Sequence, residues 1–160
     1  MYRGSVTWRS FAVVVVIALV IAYAVLSGLW VSNSNSWYLS LNRPSFQPPN
    51  WVFGLIWPYN FIVLATAGVQ VMLRAKPMIA SLWILLLVAS VASAIAWSYY
   101  FYVPHNLEIA SYALGAAALF TVGIVILTFM SQLVVAWFLL PYQAWLIIAS
   151  ALSYSYWQLN

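Results

Sequence analysis

Residues 37–59 read WYLSLNRPSFQPPNWVFGLIWPY, and the reading of this stretch decides the rest. It holds Pro44, Pro48, Pro49 and Pro58, together with Trp37, Trp51 and Trp57 and a single basic residue, Arg43. Proline fixes φ, lacks an N–H and pushes the preceding residue away from helical geometry. Pro44, Pro48 and Pro49 therefore predict an extended, non-helical segment, with a helix beginning near Trp51. Asn50 is suited to cap that helix, because its side-chain oxygen can accept from a first-turn amide.

Long apolar runs flank this stretch on both sides. The chain has 160 residues, of which 67% are hydrophobic and 4% charged, too few charges to cover a water-soluble surface. Five spans of about 20 residues fit the length. The expected spans are residues 11–31, 51–73, 78–101, 107–130 and 133–156. They form an all-α, five-helix transmembrane bundle in one membrane domain, residues 1–160. The polar run Ser32, Asn33, Ser34, Asn35 and Ser36 closes the first span. Arg74, Lys76 and Pro77 mark the second connection, and Pro104, His105 and Asn106 the third. Ser131 and Gln132 mark the fourth without help from Gly or Pro. Pro141 falls inside the last span, where neighbouring helices can satisfy a freed carbonyl. The first span follows Arg3 and Arg9 as a signal peptide would, but its apolar run is too long, so it reads as a retained helix.

Five spans place Arg3, Arg9, Arg74 and Lys76 on one side and Arg43 on the other. The positive-inside rule then puts the N-terminus in the cytoplasm. The net charge of +4 comes from so few residues that it speaks to topology and gives no reason to expect a nucleic-acid partner.

Several chemistries lack their residues. There is no cysteine, one histidine (His105) and one carboxylate (Glu108), which falls short of a zinc site and of a paired acid–base site. Glu108 opens the fourth span, where a carboxylate favours the positive end of the helix dipole. His105 could hold a haem iron, as a lone histidine can, but a loop histidine is more simply solvated. The serines have no base beside them and no nucleophile-elbow pattern.

The aromatics remain. Trp8, Trp30, Tyr99, Tyr100 and Trp157 fit interfacial anchors. Trp57, Trp97 and Trp145 lie a turn or more inside their helices, where three indoles facing one cavity would give flat walls for a planar ligand.

The opening stretch also resembles a family signature. The tryptophan-rich sensory protein family, which includes the mitochondrial translocator protein, carries a pattern close to W-Y-x-x-L-x-K-P-S-W-x-P-P-x-W-x-x-G-x-x-W. Here it reads Trp37, Tyr38, Leu41, Arg43, Pro44, Ser45, Phe46, Pro48, Pro49, Trp51, Gly54 and Trp57, with Arg for Lys and Phe for Trp. Leu140, Pro141, Tyr142, Ala144, Trp145 and Leu152 resemble the family's last helix, and Trp97, Phe101 and Tyr102 the aromatic end of its third. The resemblance implies a pocket opening toward the loop before the second span, porphyrin or haem as ligand, and no required cofactor. It also implies ligand contacts at Tyr38, Arg43, Pro44, Phe53, Trp57, Trp97, Phe101, Trp145, Ala149 and Tyr154, with Arg43 at the mouth to pair with a propionate.

Departures bear on function. Where many members have Asn in the third helix and Asp in the fourth, this chain has Ala94 and Ala113, and Ser153 stands for an Asn in the fifth. No Lys or Arg follows Lys76, so the family's C-terminal sterol pattern is missing and an aromatic ligand is better supported than a sterol. The leading expectation is a membrane protein that binds porphyrin-like or other flat aromatic molecules for sensing or transport. A light-dependent porphyrin-degrading enzyme using Trp57 and Tyr154 is the alternative, and a regulatory membrane scaffold a third. Ala89, Ala92, Ser93 and Ala96 in the third span are small residues at helical spacing, and so are Ala113, Ala116 and Ala117 with Gly115 in the fourth. Either set suits close packing within the bundle or a homodimer seam, expected through the third span.

Overall fold

The computed structural model describes residues 3–31 and 35–160, with side chains from Trp8 onward except that of Asn35. The elements are α1 (Arg3–Gly28), α2 (Asn35–Ser40), α3 (Asn50–Arg74), α4 (Pro77–Tyr102), α5 (Leu107–Ser131) and α6 (Leu133–Leu159). Five of these helices are long and apolar enough to cross a membrane, and the protein is an integral, multi-pass membrane protein with its outer faces against lipid.

The breakers act where the sequence places them, within a few residues. Residues 42–49 stay non-helical around their three prolines. Pro77 opens α4 at its first turn, where its missing N–H costs nothing. Asn106 caps α5 by accepting from the Ile109 amide at 3.0 Å, and Glu108 sits in the first turn beside it. Between α5 and α6 the reversal takes one residue, Gln132, with φ −144° and ψ 73°. Two expectations change. Asn50 is the first helical residue of α3 rather than its cap; the cap position is Pro49, with no side-chain bond. The short α2 was not expected; it carries Trp37 and Tyr38 in a turn of helix ahead of the prolines. The polar residues Ser32–Ser34 lie outside the described part.

The core runs along the bundle axis. Val16 and Tyr23 of α1, Leu64, Ala67 and Val71 of α3, Trp83 and Leu87 of α4, Leu114 and Ile124 of α5, and Leu139, Tyr142 and Leu146 of α6 are buried in it. Gly68 is required by a close approach: a Cβ there would lie 2.7 Å from Cη2 of Trp83 and would also collide with Val16. The Trp83 indole N–H donates to Thr128 Oγ1 at 3.0 Å, which satisfies it away from water.

Both ends of the bundle are tied. Arg9 of α1 donates to the carbonyls of Met72 (2.9 Å), Leu73 and Ala75 (3.3 Å) at the C-terminus of α3, where a cation suits the dipole. This places the start of α1 and the Arg74–Lys76 turn at one end. The other end holds α2 and the proline-rich loop. There Asn42 and Asn160 clamp loop to helix: the Asn42 amide donates to Asn160 Oδ1 at 2.8 Å, and Asn160 Nδ2 donates to the Asn42 carbonyl at 3.2 Å.

Candidate functional site

A cavity of about 650 Å³ lies at the loop end of the bundle, walled by α1, α3, α4 and α6 and roofed by α2 and the proline-rich loop. That volume is within the range of small-molecule sites.

Helical phase supplies the walls. Phe53, Trp57 and Phe61 recur every fourth residue of α3 and share one face. On α6 steps of four, four and three residues align Trp145, Ala149, Ser153 and Tyr156. The end of α4 adds Trp97, Phe101 and Tyr102, and α1 adds small residues, Ala24, Ser27 and Gly28, that leave room. Pro58 deprives the Gly54 carbonyl of its usual helical donor, and Gly54 is itself a wall residue.

The rings brace one another. Phe53 meets Trp145 edge to face, with centroids 5.2 Å apart at 81°. Trp57 stacks on Phe61 at 5.8 Å and makes a T-shaped contact with Tyr23 at 6.2 Å. The Trp97 indole N–H donates to Ser153 Oγ at 3.2 Å, so Ser153 fixes the orientation of that ring.

The roof is held by a small polar ring. Gln47 Nε2 donates to the Tyr38 hydroxyl at 3.2 Å, the Tyr38 and Tyr156 hydroxyls lie 3.2 Å apart, and Tyr156 donates to Gln47 Oε1. These groups join α2, the loop and α6 across the top of the cavity. A second anchor is the stack of Trp37 on His105, with centroids 3.8 Å apart and planes at 9°. His105 has φ 55°, a left-handed conformation uncommon outside glycine, and its ring lies flat on the indole.

The structure brings together seven of the residues expected at the site: Tyr38, Phe53, Trp57, Trp97, Phe101, Trp145 and Ala149. Three expected residues lie off the wall. Tyr154 is 52% exposed and edge-on to Trp157, because it follows Ser153 by one residue and so turns about 100° away from the wall. Arg43, expected at the mouth, is exposed in the loop, off the wall but within electrostatic reach of Tyr156. Pro44 is a buried residue of the loop and does not line the cavity. Sequence reasoning missed Gln47, Tyr156, Asn42 and Asn160. For Tyr156 the signal was available, since it lies eleven residues, three full turns, beyond Trp145. Among the described residues no group of three or more His, Cys, Asp or Glu could hold a metal.

Comparison with known proteins agrees with this architecture. The chain is 27% identical over 131 residues to Protein CrtK of Rhodobacter capsulatus, covering 81% of this chain and 82% of the relative. It is 29% identical over 127 residues to Tryptophan-rich protein TspO of Bacillus cereus, covering 78% and 81%. It is 31% identical over 140 residues to the uncharacterized membrane protein YtaB of Bacillus subtilis, covering 85% and 89%. The TspO/MBR family profile matches residues 12–158, which take in most of α1, the roof and the four remaining spans, and the chain belongs to the TspO/MBR family.

Proposed function

We propose that the cavity binds porphyrin-like or other flat aromatic molecules and that the protein serves sensing or transport at the membrane. The observation that carries this reading is the aromatic wall: Phe53, Trp57, Trp97 and Trp145 around a volume of about 650 Å³. Ring faces and edges at this spacing offer a planar ligand offset-stacked and edge contacts, each worth about 0.5–1.5 kcal/mol beyond area burial. Family membership supports a membrane sensory or transport role. The test is a porphyrin titration of the purified protein, followed by tryptophan fluorescence in darkness and in light. Saturable quenching with an intact porphyrin band is expected. No saturable change would sink the reading, and loss of the band in light with a new product would favour the degrading enzyme instead. The enzymatic reading draws less support from the geometry, because Tyr154 faces away from Trp57's cavity.

A homodimer through α4 is the second part of the proposal. Ala92 is exposed, and Ala89, Ser93 and Ala96 are only half-buried, so the small-residue face is not consumed by packing within the bundle. Small residues let helices approach closely in lipid. The N-terminus is proposed to be cytoplasmic, on the strength of the four basic residues at the end opposite Arg43.

A further inference from the structure

Each of the five spans sends a polar side chain into the middle of the bundle: Tyr23 of α1, Asn60 of α3, Ser90 of α4, Thr121 of α5 and Tyr142 of α6, none more than 2% exposed. They stand at one level. α1 and α3 run antiparallel, with Val16 against Gly68 and the Tyr23 ring 5.2 Å from that of Phe61, so Asn60 lies across from Tyr23. The Ser90 and Thr121 hydroxyls are 2.9 Å apart, and the Tyr142 hydroxyl stands beside both and beside that of Tyr23. None of the five lines the aromatic cavity.

One side of this layer is satisfied within the protein. Ser90 and Thr121 both donate to the Ala117 carbonyl, at 3.2 and 2.8 Å. The other side is not. Among the described residues Asn60 Nδ2, Asn60 Oδ1 and the Tyr23 hydroxyl are buried with no hydrogen-bond partner. A carboxamide carries two N–H donors and an oxygen that accepts twice, and leaving it unpaired in apolar surroundings is costly. Asn60 shares the inward stripe of α3 with Leu64, Ala67 and Val71, so its amide is turned to the bundle interior and away from the headgroups. We propose that Asn60 and Tyr23 hold ordered water at the centre of the bundle, and that this water completes a polar layer joining all five spans. Water suits the groups present, because it donates and accepts and makes about three hydrogen bonds when buried. A metal cation would lie there without a counter-charge, since the one acidic side chain, Glu108, opens α5 at the loop end. The site does not depend on what the aromatic cavity binds.

The experiment is hydroxyl-radical footprinting of the full chain in detergent, with radicals made by X-ray radiolysis and modified residues read by mass spectrometry. Radicals formed on a bound water attack the side chains it touches. Trp83 is the internal reference for a dry core: it is fully buried, its indole N–H is satisfied by Thr128, and indole is at least as reactive toward the radical as phenol. Tyr23, equally shielded from solvent, is expected to be modified about fivefold faster than Trp83 or more. Asn60→Leu removes the carboxamide and should slow Tyr23 modification by about threefold or more, while exposed Tyr112 stays within about twofold. A Tyr23 rate as low as that of Trp83 would show a dry layer and overturn the proposal. An unchanged Tyr23 rate in the folded Asn60→Leu protein would overturn it as well, because the water would then be held by other groups. Should Asn60→Leu fail to fold, the wild-type Asn60 side-chain amide is read by NMR: a nuclear Overhauser contact with water is expected, and its absence would sink the site.

Discussion

Trp57→Leu is the perturbation that bears most directly on the cavity. Trp57 is half-buried on α3, one turn after Phe53 and one before Phe61, with its ring against Tyr23 and Phe61 and its remaining surface on the cavity. Leucine keeps the position apolar and removes the ring face. The lost aromatic contact is worth about 0.5–1.5 kcal/mol. The smaller side chain also removes roughly 40 Å² of apolar contact from a stacked ligand, which is about 1 kcal/mol at ~25 cal/mol per Å². Together these give about 1.5–2.5 kcal/mol, or a porphyrin affinity weakened by about tenfold to seventyfold.

Trp51→Leu is the matched control. Trp51 lies six residues earlier, about 240° around the helix, and is 67% exposed toward lipid. Its replacement should change affinity by less than about twofold, since it makes no wall of the cavity. The assay is a titration of a porphyrin against both variants, with folding checked by circular dichroism. A well-folded Trp57→Leu protein with wild-type affinity would refute the assignment of this ring to the ligand. Equal losses in both variants would refute the distinction between wall and anchor.

Three further outcomes are expected. Single cysteines introduced at Ser5 and Ser45 of this cysteine-free chain should react with an impermeant thiol reagent from opposite sides of the membrane, Ser5 from the cytoplasmic side; labelling from one side alone would rule out an odd number of spans. Leu at both Ala92 and Ala96 should hold neighbouring α4 helices apart and weaken self-association in detergent by about tenfold or more, and an unchanged dissociation constant would move the seam elsewhere. Gly68→Ala should destabilise the bundle by about 1–3 kcal/mol through collision with Trp83 and Val16, read as a lower thermal midpoint, and an unchanged midpoint would show that those side chains can retreat.

The five spans were legible because lipid makes a simple demand: an apolar run long enough to cross, with its backbone bonded to itself. The prolines at 44, 48, 49 and 77 then mark the two ends of α3 and the start of α4, since each removes a donor that a continuing helix needs. The Gln132 reversal shows the limit of that logic, because a hairpin of one residue needs no Gly or Pro and leaves only run length as its sign. The six-residue α2 left no sign at all. A helix of that length is unstable in isolation, and this one is held from outside: Trp37 packs edge-on to Phe101 and flat on His105, and Tyr38 joins Gln47 and Tyr156. Contacts so distant in sequence cannot be read from local pattern.

The site divides along the same line. Phe53, Trp57, Trp145 and Ala149 are expected from the family resemblance, and the four-residue spacing within each pair is the physical reason they share a face of α3 or α6. Tyr154 is suggested by what a phenol can do in redox chemistry, and side-chain chemistry says nothing of where the backbone points it. Phase alone, counted from Trp145 through Ala149 to Ser153 and Tyr156, puts Tyr154 on the outside. The same displacement applies to charge throughout the chain. Among the described side chains no Lys, Arg, Glu or His lines the cavity; its wall is ring faces, hydroxyls and the amides of Gln47 and Asn50, and Arg43 reaches it only through space, from the loop onto Tyr156.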